Sequence, residues 1–141
     1  MKNKWSISSI PTGGRIYAVS GVLTLITLAV YSVYGAIYNY FDITAFVMLL
    51  AAVLLCAADL VLHRKIALAG LARLLSVFLT AGAFALFFYN SYPVWADELN
   101  NITMYSSRGG LPPVIALCVL FVADLIGLVV SCFFSDEGGS L

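Results

Sequence analysis

Four apolar runs, each long enough to cross a lipid bilayer, constrain this chain more than any other feature. They cover about Ile16 to Tyr38, Ala45 to Leu62, Ile66 to Tyr89 and Pro113 to Phe134. A hydrocarbon core about 30 Å thick takes roughly 20 residues of helix. The breaks between the runs carry turn chemistry or charge: "NYFD", "HRK", and the long stretch from Ser91 to Pro112. Composition points the same way, since 62% of the 141 residues are hydrophobic and only 10% are charged. Soluble domains carry about 25% charged and about 45–50% apolar residues. A water-soluble fold of this length could not hide so much apolar surface. The expected fold is an all-α integral membrane four-helix bundle, with residues 1–141 forming one four-span domain. Lipid is the first partner implied, and the net charge of zero, with no basic patch, points away from nucleic acid.

The first run is too long for a cleavable leader, and no small-residue cleavage site follows it, so the chain is expected to stay anchored. Lys and Arg near the span ends set orientation. Lys2, Lys4, Arg15, Arg64 and Lys65 fall on one side and Arg108 on the other. Both termini are therefore expected in the cytoplasm, with the protein in the plasma (cytoplasmic) membrane. The short "HRK" link makes spans two and three antiparallel neighbours. Cys56, Cys118 and Cys132 all fall in or at the end of apolar runs and read as buried thiols rather than a disulfide framework.

"LLCAADLVLH" (Leu54 to His63) and "LFVADLIGLV" (Leu120 to Val129) set the same Ala-Asp-Leu inside an apolar run. "GVLTLITL" in span one also aligns with "GLARLLSV" in span three, matching Gly21 with Gly70, Thr24 with Arg73 and Thr27 with Ser76. Spans one and three both end in Tyr-Asn. A duplicated helical hairpin, with both copies in one orientation, accounts for these matches. Parallel repeats of this kind occur in transporters. The competing account is that membrane helices draw on few letters, so short matches arise by chance.

Asp59, Arg73 and Asp124 are the ionisable residues inside spans. Each costs about 2.5–3.5 kcal/mol at a helix centre on the insertion scale, so each is expected to face the interior and find a partner. All three fall in the inner half of the bilayer, with Arg73 between the carboxylates in depth. Polar stripes at helical spacing agree: Ser20, Thr24, Thr27 and Tyr31 on span one, and Ser76 and Thr80 beside Arg73 on span three. On span four Asp124 shares a face with Gly127 and Ser131. Turned inward, these stripes let backbones approach and hydroxyls bond across helices. One reading is a charge-paired core that fixes helix register, alone or with a partner subunit. The other is a polar path for a proton, an ion or a small solute, favoured by the second carboxylate that one arginine cannot balance. Cys56, Asp59 and His63 share a face on span two, but one helix stacks three ligands badly, and no metal site is expected.

In the outer stretch, Trp95, Leu99, Ile102 and Tyr105 recur at helical spacing, with Asp97 and Glu98 on the other face. This predicts a short extracytoplasmic amphipathic helix between spans three and four, lying at the membrane surface and started at Pro93. With Arg108 it reads as a lid or as a contact surface for another protein. The sequon at Asn101 is a pattern common by chance.

No phosphate loop, Cys-x-x-Cys pair or nucleophile elbow is present, and the sequence offers no cytoplasmic segment large enough for a catalytic domain. The outer-loop Cys-Cys-Gly of tetraspanins and the first-span glutamate of small multidrug exporters are missing as well. The function expected is that of a non-enzymatic accessory or assembly subunit of a larger membrane complex, without a cofactor. The alternative is a small oligomeric transporter or channel using the buried Asp and Arg residues.

Overall fold

The structure is a computed structural model, and it describes residues 10–62, 66–104 and 109–134. It contains four helices: α1 (Thr12–Ile37), α2 (Ile43–Leu62), α3 (Ile66–Asn100) and α4 (Leu111–Phe133). All four are long and apolar enough to cross a membrane. Neighbours pack as α1 on α2, α2 on α3, α3 on α4 and α4 on α1.

The helix ends have local chemical causes. Asn39 follows the last residues of α1 with φ +51°, and the amide of Tyr40 donates back to Gly35 O at 3.0 Å. That is a left-handed C-terminal cap, which Asn tolerates better than other residues with a side chain. Asp42 then starts α2: its Oδ1 accepts from the amides of Thr44 at 2.8 Å and Ala45 at 3.3 Å. Asn101, at φ +52°, closes α3 in the same way, with Ile102 donating to Asp97 O and Asn101 donating to Glu98 O. Pro112 and Pro113 lie in the first turn of α4, where their missing donors leave no helical bond unmade. Gly109 precedes them at φ +87°, and a Cβ there would fall 2.9 Å from the Tyr38 ring.

One expectation about the elements changes. The separate surface helix predicted after Tyr89 is instead the end of α3, which runs unbroken through Pro93 to Asn100. At 1.5 Å per residue α3 is about 52 Å long, well beyond the roughly 30 Å of a hydrocarbon core. Pro93 removes the donor that would serve Tyr89 O, and Tyr89 is among the most exposed residues of α3, so other donors can reach that carbonyl. Tyr105 and Arg108 of the predicted contact surface lie outside the described residues.

The interior changes character along the helix axes. At the end where α1 begins and α2 ends, the buried side chains include Tyr17, Ser20, Thr24, Cys56, Arg73, Ser76, Thr80, Asp124 and Ser131, with Leu128 packed on Tyr17 and Cys56. Toward the other end the core is Leu28, Tyr31, Tyr34, Leu49, Ala83, Phe87, Leu117 and Phe121. Phe121 stacks on Phe84 at 5.3 Å and on Phe87 at 5.6 Å, and Phe87 meets Tyr31 edge-on at 6.1 Å. Large apolar side chains such as Val22, Leu54, Leu71, Phe78, Val119 and Ile126 face outward. This inverts the arrangement of a soluble domain, as a lipid solvent requires.

Candidate functional site: a buried polar column

The polar column is assembled from one stripe per helix. On α1, Ser20, Thr24 and Thr27 are all buried, at i, i+4 and i+7. Each threonine hydroxyl lies within reach of a carbonyl one turn back on its own helix: Thr24 of Ser20 O at 2.9 Å and Thr27 of Leu23 O at 3.0 Å. On α3, Ser76 donates to Ala72 O at 3.0 Å, and on α4 Ser131 donates to Leu128 O at 2.6 Å. Hydroxyls that bond back to their own helix present an oxygen, not a proton, to the interior.

Two groups approach these oxygens from neighbouring helices. Tyr17 Oη lies 2.7 Å from Ser76 Oγ. Asp124 Oδ1 lies 2.8 Å from Thr24 Oγ1. Asp124 is fully buried, and its Oδ2 has no hydrogen-bond partner. Thr80 Oγ1 is buried in the same condition. The register of α3 against α4 relates the two. Arg73 reaches Ser131, and Phe84 stacks on Phe121. Seven residues on from Arg73 and seven back from Ser131 bring Thr80 to the level of Asp124. Gly127, one turn from Asp124, takes the side chain of Ser20: Ser20 Oγ lies 2.6 Å from where a Cβ would stand.

Of the three ionisable residues singled out in the sequence, Arg73 engages Asp59, with Nη2 to Oδ2 at 3.9 Å. Arg73 Nη1 donates to Ser131 O at 3.4 Å, and its guanidinium lies 5.5 Å from the centre of the Tyr17 ring. The bond at Asp124 is made with Thr24. The two aspartates thus meet different helices: Asp59 of α2 meets Arg73 of α3, and Asp124 of α4 meets Thr24 of α1. Thr24 and Arg73 are the residues matched when spans one and three are aligned. The glycines matched in that alignment differ in role. A Cβ on Gly21 would fall 2.7 Å from Cys56 Cβ, whereas one on Gly70 would meet nothing.

Tyr31, the last member of the α1 stripe, belongs elsewhere. Its hydroxyl accepts from the amide of Asp42 at 3.0 Å and donates to Asp42 O at 3.2 Å. Asp42 Oδ2 also accepts from Asn90 Nδ2 at 2.7 Å, which ties the α1–α2 connection to α3. Sequence reasoning missed Asp42 and Asn90, because a short acid in a break between spans looks like turn chemistry. It also missed Tyr17, which one more turn of the Ser20 stripe would have found.

In the last turns of α3, Trp95 is half-buried and donates through Nε1 to Ser91 Oγ at 3.2 Å. Glu98, Leu99 and Ile102 are exposed, and Asp97 is partly so. Cys56 is buried against α1, and His63 lies outside the described residues. Among the described residues no group of three His, Cys, Asp or Glu side chains is placed to hold a metal.

Comparison with known proteins finds no matching family model, no matching curated protein and no matching solved structure.

Proposed function

We propose that this protein is a non-enzymatic accessory or assembly subunit of a larger membrane complex. The observation that carries this reading is the apolar cluster packed between the four helices. The polar column ends against Leu28, Leu49, Leu117 and Phe121, with Phe84 packed against them. A core packed in this way gives a solute no route through one copy of the chain. The work of such a protein then falls to its surfaces.

The membrane arrangement proposed with this reading is a four-helix bundle in the plasma membrane with both termini in the cytoplasm. Arg73, Asp59 and the polar column then lie in the cytoplasmic half. The last turns of α3, with Trp95, Asp97, Glu98, Leu99 and Ile102, stand outside as the contact surface. The pairing of Thr24 with Asp124 and of Arg73 with Asp59 supports descent from a duplicated hairpin.

Purification from the native membrane in mild detergent, followed by mass spectrometry, tests the reading. A larger membrane protein should accompany this chain in fixed ratio, and Leu99→Glu should weaken that association. A lone homo-oligomer would contradict it. The second reading, a small oligomeric transporter or channel for protons, ions or a small solute, is favoured by one observation, the unpartnered Oδ2 of the fully buried Asp124.

A further inference from the structure

We infer that Asp124 is a proton-binding site: it carries a proton that it donates to Thr24, and that proton exchanges with water only from the Arg73 end of the helices. The inference starts from counting protons. A threonine hydroxyl has one. Thr24 Oγ1 lies 2.9 Å from Ser20 O and 2.8 Å from Asp124 Oδ1, and both are full-strength distances. One proton shared between two acceptors lengthens at least one contact, so two short contacts call for two protons. The bond to the carbonyl one turn back uses the proton of Thr24. The second proton must come from the other side, which makes Asp124 the acid and Thr24 Oγ1 the acceptor.

A similar run of oxygens occurs once more in the column, with a phenol in the place of the acid; there either hydroxyl can donate, and the phenol also lies 3.4 Å from Ala72 O. Tyr17 Oη meets Ser76 Oγ at 2.7 Å, and Ser76 meets Ala72 O at 3.0 Å. Phenol, serine and carbonyl on α1 and α3 are spaced as carboxyl, threonine and carbonyl are on α4 and α1. The Oδ2 atom agrees. As one oxygen of a buried carboxylate it would lack any donor at large cost. As the carbonyl of a neutral acid it leaves an ordinary polar atom unpaired, which costs far less.

Exchange is one-sided because the surroundings are. From Asp124 toward the Arg73 end run Ser20, Ser76, Tyr17, Ser131 and Arg73, with the buried Leu128 the apolar side chain among them. Asp59 beyond them keeps 11% of its side chain exposed. In the opposite direction Phe121 follows one turn away and stacks on Phe84 and Phe87. The titratable and charged groups buried at the site's end of the neighbouring helices are Tyr17 on α1, Cys56 on α2 and Arg73 on α3, with the nearly buried Asp59 on α2. Arg73 is engaged by Asp59 and Ser131, so the structure shows Asp124 bonded to a hydroxyl rather than to a cation. Thr80, level with Asp124 and with its hydroxyl uncommitted, is placed to turn toward Oδ2 when the proton leaves.

Infrared spectroscopy of the full chain in lipid nanodiscs at neutral pH, with aspartate carbonyl carbons isotopically labelled, tests this directly. The expected result is one carbonyl band of a protonated carboxylic acid. It should vanish in Asp124→Asn, persist in Asp59→Asn, change frequency in Thr24→Val, and shift on transfer to heavy water. Thr24→Val keeps the test decisive even if Asp124→Asn fails to fold. A spectrum with ionised carboxylates alone, a band that Thr24→Val leaves in place, or a band that does not shift in heavy water would each overturn the inference. The outcome does not depend on whether a partner protein exists.

Discussion

Arg73 is held by three unlike groups: a carboxylate on α2, a carbonyl on α4 and an aromatic ring on α1. A planar guanidinium can serve all three at once, and an ammonium cannot. Removing one member of a buried ion pair costs about 3–5 kcal/mol, and Asp59 retains some exposure, which places Arg73→Ala at the low end. The melting temperature in detergent, followed by circular dichroism, should fall accordingly, and Arg73→Lys should recover only part of the loss. A lysine variant as stable as the parent would show that only charge matters here. That Asp59, Arg73 and Asp124 face inward was legible in the sequence, because charge inside an apolar run has nowhere else to go. Which carboxylate would take the arginine was not legible. That choice depends on the rotation of each helix against its neighbours, and Asp59 and Asp124 sit in nearly identical local sequence.

At the scale of helices, the four apolar runs and their buried faces could be read from length and period alone. The ends were harder. Asn39 and Asn101 close α1 and α3 through the same left-handed cap, a role that a sequon or a Tyr-Asn repeat does not announce. Asn101→Gly should keep the cap, whereas Asn101→Val puts a branched side chain at φ +52° and should cost about 1–2 kcal/mol. Thermal unfolding of the two variants side by side checks this, and equal stability would contradict it. Proline favours first turns, so the sequence predicts a helix start at Pro93. It lies inside α3 instead, where only the Tyr89 carbonyl loses a donor. Pro93→Ala should therefore leave helix content unchanged and raise the melting temperature. A loss of helix would mean that the proline shapes α3 in a way its backbone bonds do not explain.

For the whole molecule, the division of the interior into a polar half and an aromatic half was not foreseen. The sequence stripes run the length of each span, and only packing shows that Tyr31 leaves the column to hold Asp42. Topology is the first question at this scale. In a variant with Cys56, Cys118 and Cys132 replaced, Asn100→Cys should react with an impermeant thiol reagent added to intact cells. Labelling confined to opened cells would reverse the proposed orientation and move the polar column to the outer half. The central claim is that the aromatic layer closes the protein to solutes, so that it acts through its surfaces. Proton and sodium flux into liposomes containing the purified chain, under an imposed gradient and potential, tests this most directly. The account predicts rates no higher than in protein-free liposomes. A flux that rises with protein content and disappears in Asp124→Asn would contradict it and make the column part of a through path.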